Sequence, residues 1–212
     1  MSTPYQEAQR AGQAAVRAVI LDRATALLVA EGPAALTVRR IAGDVGSSTK
    51  VLYTMFGGKE GLVDALYREG FARLRRAQEQ VPRGEDPLAY LTALGRAYRE
   101  HALAEPGYYR VMFEQPVPEF RAGEEALAAA DDVFEASVGA VRACMAAGVF
   151  RPGDAHEVSK LFWAASHGAV SLELAGHFPA ADAGVLYDKL MTAMGTACGL
   201  AAPPPSEGDT TP

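Results

Sequence analysis

The sequence predicts an all-α protein, with three short N-terminal helices in a helix-turn-helix arrangement followed by a larger C-terminal helical bundle. Three observations predict it. Apolar residues recur at spacings of three and four nearly everywhere, strict two-residue alternation is almost absent, and glycine and proline punctuate the pattern at helix-sized intervals.

Each element follows from that punctuation. Val16, Val19, Ile20, Ala24, Leu27 and Leu28 form one stripe of a first helix, which Gly32-Pro33 stops. Thr37 is placed to cap a short helix running to about Val45, closed by Gly46, and Ser48 to cap another ending near Phe56. After a Gly57-Gly58 turn, a longer helix from Lys59 to about Gln80 carries Leu62, Val63, Leu66, Phe71 and Leu74. Pro82 and Pro87 mark a boundary, beyond which Leu88 to about Glu105 reads as a helix ended by Pro106-Gly107. Tyr108 to Phe113 reads as a short helical turn, and Pro116 and Pro118 exclude a long helix there. A helix from Glu124 to Ala147 is stopped by Gly148, and Asp154 caps the next, from about Ala155 to Ala175. That helix carries two apolar stripes, one of Val158, Leu161, Phe162, Ala165, Ala169 and Leu172, the other of Trp163, Ser166, His167, Val170 and Leu174, so both sides need cover. The last helix spans about Ala181 to Ala201, and residues 202–212, rich in proline and poor in apolar bulk, are expected to be a disordered tail.

The 212 residues are 49% hydrophobic and 22% charged, proportions that exclude a disordered or fibrous chain. No apolar run reaches the ~18 residues a bilayer requires, since Ser166, His167, Ser171 and Glu173 break the greasiest stretch. With no basic and apolar leader at the N-terminus, the expectation is a cytoplasmic protein without a membrane partner. Cys144 and Cys198 lie amid apolar neighbours and outside any CxxC pair, so they read as small buried hydrophobes. Charge is uneven: residues 1–83 carry 12 Lys+Arg against 8 Asp+Glu, and residues 84–212 carry 8 against 18. A basic N-terminal part on an acidic chain is the footprint of a nucleic-acid-binding module attached to something else.

The spacing in residues 37–56 suits a helix-turn-helix. Ile41, Ala42 and Val45 face inward, small Ala42 admits the second helix closely, and Leu52 and Phe56 anchor that helix. Ser48, Thr49, Lys50, Tyr53 and Thr54 are left outside, on the end that such a motif presents to the major groove. A solvated helix pair in an ordinary bundle is the competing reading of the pattern.

The run Ile41-Ala42-Gly43-Asp44-Val45-Gly46-Ser47-Ser48-Thr49-Lys50-Val51-Leu52-Tyr53-Thr54-Met55-Phe56-Gly57-Gly58-Lys59-Glu60-Gly61-Leu62 resembles, without gaps, the signature of the TetR family of transcriptional regulators. Ala42, Gly46, Ser48, Leu52, Tyr53, Phe56, Lys59, Glu60 and Leu62 stand in its places. Ser47 departs from a usual valine, and Lys50 replaces a usually small residue, which sets a long cation where the helix enters the groove. The resemblance implies base contacts from Arg39, Thr49 and Lys50, and phosphate contacts from Thr37, Ser48, Tyr53, Thr54 and Lys59. Further along, Trp163-x-x-x-His167-Gly168 followed by Ser171-Leu172-Glu173-Leu174-Ala175-Gly176 is similar to the Trp, His, Gly signature of one C-terminal domain class of that family.

The reading is therefore a ligand-responsive repressor with a DNA-binding domain over residues 11–58 and a ligand-binding and dimerisation domain over residues 59–201. Its expected partners are a palindromic double-stranded DNA operator, a second copy of the chain and a small apolar effector. Tyr109, Met112, Phe113, Phe134, Met145, Phe162, Trp163 and His167 are the candidate effector wall, because aromatic and soft side chains collect where prolines interrupt packing. For any one of them plain core is the competing reading, with His167 holding a backbone carbonyl. An α-helical enzyme or carrier, or a helical interaction protein without DNA binding, are the alternatives. Gly58-Lys59 lacks the glycine and hydroxyl of a phosphate loop, since Tyr53 and Glu60 occupy those places. His156-Glu157 lacks the second histidine of a zinc helix, since Lys160 stands there. No cofactor, metal or catalytic set is indicated.

Overall fold

The computed structural model describes residues 3–114, 117 and 120–199, and among them every regular element is helical. The helices are α1 (Pro4–Glu31), α2 (Val38–Asp44), α3 (Thr49–Phe56), α4 (Lys59–Glu79), α5 (Pro87–Ala104), α6 (Pro106–Phe113), α7 (Glu124–Ala146), α8 (Ala155–Leu174) and α9 (Ala180–Gly199), with a single 3-10 turn at Pro33–Ala35. Pro116, Pro118 and the expected tail at 202–212 lie outside the described residues.

Two compact units emerge, one of residues 1–76 and 101–132, the other of residues 77–100 and 133–212, so α4, α5 and α7 each contribute to both. In the first, Ile20, Leu21, Ala24, Leu27 and Leu28 of α1 meet Ile41 and Ala42 of α2, Leu52 and Phe56 of α3, Leu62 and Leu66 of α4 and Tyr108 and Val111 of α6 in one apolar core. The expected α1 stripe is corrected at its start. Val16 and Val19 are exposed, because the buried set 20, 21, 24, 27, 28 already defines the core face and both valines fall well to one side of it. Pro106 begins α6 rather than merely ending α5: at the first helical position its missing N–H is no loss. Gly107 then lets α6 press onto α1, where a Cβ would stand 2.6 Å from that of Thr25.

Arg73 binds the elements of this unit through polar contacts. Its guanidinium bonds Asp22 of α1 at 2.6 Å, Glu69 of α4 at 3.0 Å and Glu105 at 2.8 Å, and lies over the Tyr108 ring, whose hydroxyl donates to Asp22 at 2.9 Å. Burial works against its charge, but these acceptors outweigh burial and raise its pKa.

In the second unit, Leu91, Leu94, Val138, Val141, Cys144 and Phe150 form the core, with Phe134, Met145, Val158 and Phe162 against it. Cys144 is buried and its thiol is pushed up to about 11 by burial, with Asp86 adding to it, which keeps the thiol inert. Helices α8 and α9 pack through Ser166, which bonds Tyr187 at 3.0 Å and Met191 at 3.3 Å, while the Tyr187 hydroxyl donates to the Gly95 carbonyl at 2.7 Å. The double apolar character of α8 is resolved as follows: Ser159, Ser166 and Val170 are buried, Phe162 is half-buried, and Leu161 and Leu172 are exposed, as are Val185 and Leu186 of α9.

Candidate nucleic-acid interface

The helix-turn-helix is fixed at both ends by its own side chains. Thr37 Oγ1 accepts from the Arg40 amide at 3.2 Å and opens α2; Ser48 Oγ accepts from the Val51 amide at 3.4 Å and opens α3. The link between them turns at Gly46, whose φ of 66 suits glycine, and the Ser47 amide returns to the Ala42 carbonyl at 2.8 Å. Gly57, at φ 74, ends α3, and Lys59 stands at the first position of α4.

One close approach escaped the sequence reading. A Cβ on Gly61 would stand 1.8 Å from the Phe56 carbonyl oxygen, so only glycine lets the first turn of α4 sit against the end of α3. The available signal was a glycine inside a helix start, where glycine is otherwise unfavourable.

Of the side chains assigned to DNA, Thr37, Arg39, Ser48, Thr49, Lys50, Tyr53, Thr54 and Lys59 are all exposed, Tyr53 at 57%. Arg39, Lys50 and Lys59 have no ion-pair partner among the described residues. Arg40, next to Arg39, is turned to the protein: it pairs with Glu31 at 2.8 Å and Asp44 at 3.4 Å. Asp44 also receives Arg23 at 2.9 Å, so the one carboxylate near the end of α2 is held between two arginines and is not left to repel phosphate. The two capping hydroxyls accept from the backbone and retain a proton to donate outward. The surface therefore offers three cations and five hydroxyl donors around the start of α3, the pattern that suits phosphate and base edges.

The model for bacterial regulatory proteins of the tetR family matches residues 20–66, and that for the tetracyclin repressor-like C-terminal domain matches residues 91–194. The chain belongs to the TetR family of transcriptional regulators. It is similar to the HTH-type transcriptional regulator Rv1816 of Mycobacterium tuberculosis, 26% identical over 82% of this chain and 88% of that one. Its fold is also that of a protein with unknown function from Rhodococcus sp. RHA1, with a TM-score of 0.74 at 26% identity over 87% and 95% of the two chains. The TetR family transcriptional regulator PfmR from Thermus thermophilus matches with a TM-score of 0.69 at 20% identity over 86% and 99%. TetR regulators bind DNA and act as dimers, and this family membership places the chain among transcription factors rather than enzymes. No helix among the described residues is long and apolar enough to cross a membrane.

The candidate effector residues of this TetR chain fall into two groups. Tyr109, Met112 and Phe113, on α6, belong to the first unit: Phe113 lies 5.1 Å from the Tyr109 ring and 5.7 Å from that of Phe71, and Met112 covers Gly70. Tyr109 and Met112 are buried there. Phe134, Met145, Phe162, Trp163 and His167 belong to the second unit. Trp163 is half exposed, with the Phe134 ring at 6.2 Å and His167 at 6.3 Å. Phe162 instead stacks on Phe150 at 5.8 Å and, with Met145, packs against the core. His167 Nδ1 faces the Tyr98 hydroxyl at 3.4 Å. Glu125 pairs with Arg68 at 2.8 Å, and His156 Nδ1 stands 3.5 Å from a Glu135 carboxylate oxygen.

Proposed function

We propose that the chain is a repressor that binds a palindromic operator as a two-fold dimer and leaves it when a small apolar molecule binds the C-terminal part. In this reading residues 11–58 form the DNA-binding domain and residues 59–201 the sensing and dimerising one, working in the cytoplasm. The exposed Arg39, Lys50 and Lys59 around α3, without ion-pair partners among the described residues, carry the DNA assignment: Arg39, Thr49 and Lys50 meet bases, and Thr37, Ser48, Tyr53, Thr54 and Lys59 meet phosphates. The Trp163-His167-Gly168 run supports placing the C-terminal domain in the signature class that the sequence resembles.

For assembly, Leu161 and Leu172 of α8 with Val185 and Leu186 of α9 offer an apolar strip flanked by small Ala164 and Gly168, the kind of self-complementary surface a second copy covers. For sensing, Trp163, Phe134 and His167 offer an apolar surface with one polar handle, and none of the three is a fixed cation, which suits an uncharged ligand. Tyr109, Met112 and Phe113, with Met145 and Phe162, complete the proposed effector-binding set, and α4 is the proposed relay, because α6 packs directly on α4 and α4 begins at Lys59. A ligand that favours the non-binding state by ~3 kcal/mol lowers operator affinity about a hundredfold.

Trp163 is the one tryptophan of the chain, so its fluorescence reports binding directly. Apolar compounds titrated with and without operator should bind more weakly when operator is present. A compound that quenches Trp163 with equal affinity in both states contradicts the proposed linkage.

A further inference from the structure

Helix α1 is longer than its packing requires. Its buried residues begin at Ile20, and residues 3–16 are exposed without exception. The tetR family match starts only at residue 20, so this segment lies outside what the family model describes. It is nevertheless a well-capped helix: Thr3 Oγ1 accepts from the Gln6 amide at 3.3 Å and Gln6 Oε1 accepts from the Thr3 amide at 3.0 Å.

The face of the segment is informative. The stripe that buries Leu28, Ala24 and Leu21 continues, in steps of three and four toward the N-terminus, through Arg17, Gln13, Arg10 and Gln6. One face of a single helix thus changes from apolar to cationic and amide-bearing at the point where the protein core ends. Tyr5, Gly12, Val16 and Val19 lie to the side. The direction follows from contacts. Asp22 meets Arg73, well along α4, whereas the Arg17 guanidinium lies over the Phe56 ring at 5.7 Å, before α4 begins at Lys59. Followed backward, α1 runs past the junction of α3 and α4, where Tyr53 stands 3.7 Å from the position of a Gly58 Cβ, and extends about 20 Å further.

We infer that this N-terminal half of α1 is an additional DNA-binding arm, which lies along the phosphate backbone outside the half-site read by α3, with Arg10 on a phosphate and the Gln6 and Gln13 amides donating beside it. The inference rests on the DNA-binding reading above and adds a contact that the helix-turn-helix does not supply. Charge complementarity favours DNA over a second copy: the stripe of Gln6, Arg10, Gln13 and Arg17 holds two cations and no carboxylate, Glu7 lying to its side, Arg10 has no ion-pair partner among the described residues, and two such stripes face to face would bring like cations together. Three cations in succession, at Lys59, Arg17 and Arg10, would then follow one strand.

The test uses the full chain and a duplex that it selects from a random-sequence pool. Arg10→Ala should lower the slope of log affinity against log salt by about 0.9 per arm, so by about 1.8 for a dimer. Arg10→Glu should weaken binding further, Arg10→Lys should restore it, and hydroxyl-radical protection flanking each half-site should disappear in the alanine variant while the central protection stays. Thermal unfolding should not change, since the side chain supports no packing. If Lys59→Ala weakens binding but Arg10→Ala and Arg10→Glu match the parent in slope and footprint, the arm is wrong and the helix-turn-helix reading stands. If Arg10→Glu alters only the sedimentation of the protein, the face takes a second copy and the inference also fails. A parent chain that selects no duplex overturns both readings.

Discussion

Lys59 and Tyr53 are both exposed, Lys59 at the start of α4 and Tyr53 on the body of α3. Lys59→Ala should therefore weaken binding about equally on all DNA sequences and lower the salt slope by about one unit for each phosphate the lysine neutralises, as read by anisotropy titrations at several salt concentrations. Arg39 or Lys50 replaced by alanine should instead relax preference at particular bases, at about 1 to 3 kcal/mol each. His101 answers a different question. It is buried at 8% exposure, its Nε2 has no hydrogen-bond partner among the described residues, and its pKa falls to about 4 because burial disfavours the charge and Arg73 and Arg76 repel it. In the unfolded chain it titrates near 6.5, so the unfolded state binds the extra proton first. The stability this histidine allows is fully present above pH 6.5 and is lost as pH falls toward 4, by about 3 kcal/mol at most. Urea melts of His101→Gln should show a flatter pH dependence over that window than the parent. The exposure of the residues assigned to DNA was legible in the sequence, because exposure on a short capped helix follows from local spacing. His101 was not, because its burial is decided by helices far away in the chain.

Helix starts and stops were legible wherever glycine, proline or a capping hydroxyl marks them, as at Thr37, Ser48, Gly57 and Asp154. What sequence periodicity could not supply was which of two adjacent stripes faces inward. In α1 the valines at 16 and 19 keep helical spacing with each other, yet both lie to the side of the face that Ile20, Leu21 and Ala24 bury. In α8, too, Leu161 and Phe162 were placed in one stripe, and tertiary packing separates them. Close approach is equally invisible to pattern. Gly61→Ala would force its methyl into the Phe56 carbonyl, so α3 and α4 must separate. That variant should lose about 2 kcal/mol or more in chemical denaturation and lose operator binding out of proportion to any single interaction. Arg73→Ala should cost about 2 kcal/mol by releasing Asp22, Glu69 and Glu105 together, and it should blunt the effect of effector on DNA because α1, α4 and α6 then move independently. The candidate effector set was legible as residue types only: α6 carries three of the eight and unit two the other five.

Over the whole molecule, a basic N-terminal part is joined to an acidic C-terminal one, and in the dimer that TetR regulators form two DNA-reading surfaces act as one. Leu172→Asp, on the exposed strip of α8, should shift sedimentation from dimer to monomer at micromolar concentration and reduce operator affinity, because two half-sites are then bound separately. DNA reading through α3 is checked by one electrophoretic shift on the DNA upstream of the protein's own gene, run with the parent chain and with Lys50→Ala. The parent should form a salt-sensitive complex on a palindromic segment, and the variant should lose its preference for that segment over scrambled DNA. A parent chain that retards the palindromic and scrambled duplexes equally, or neither of them, would contradict it.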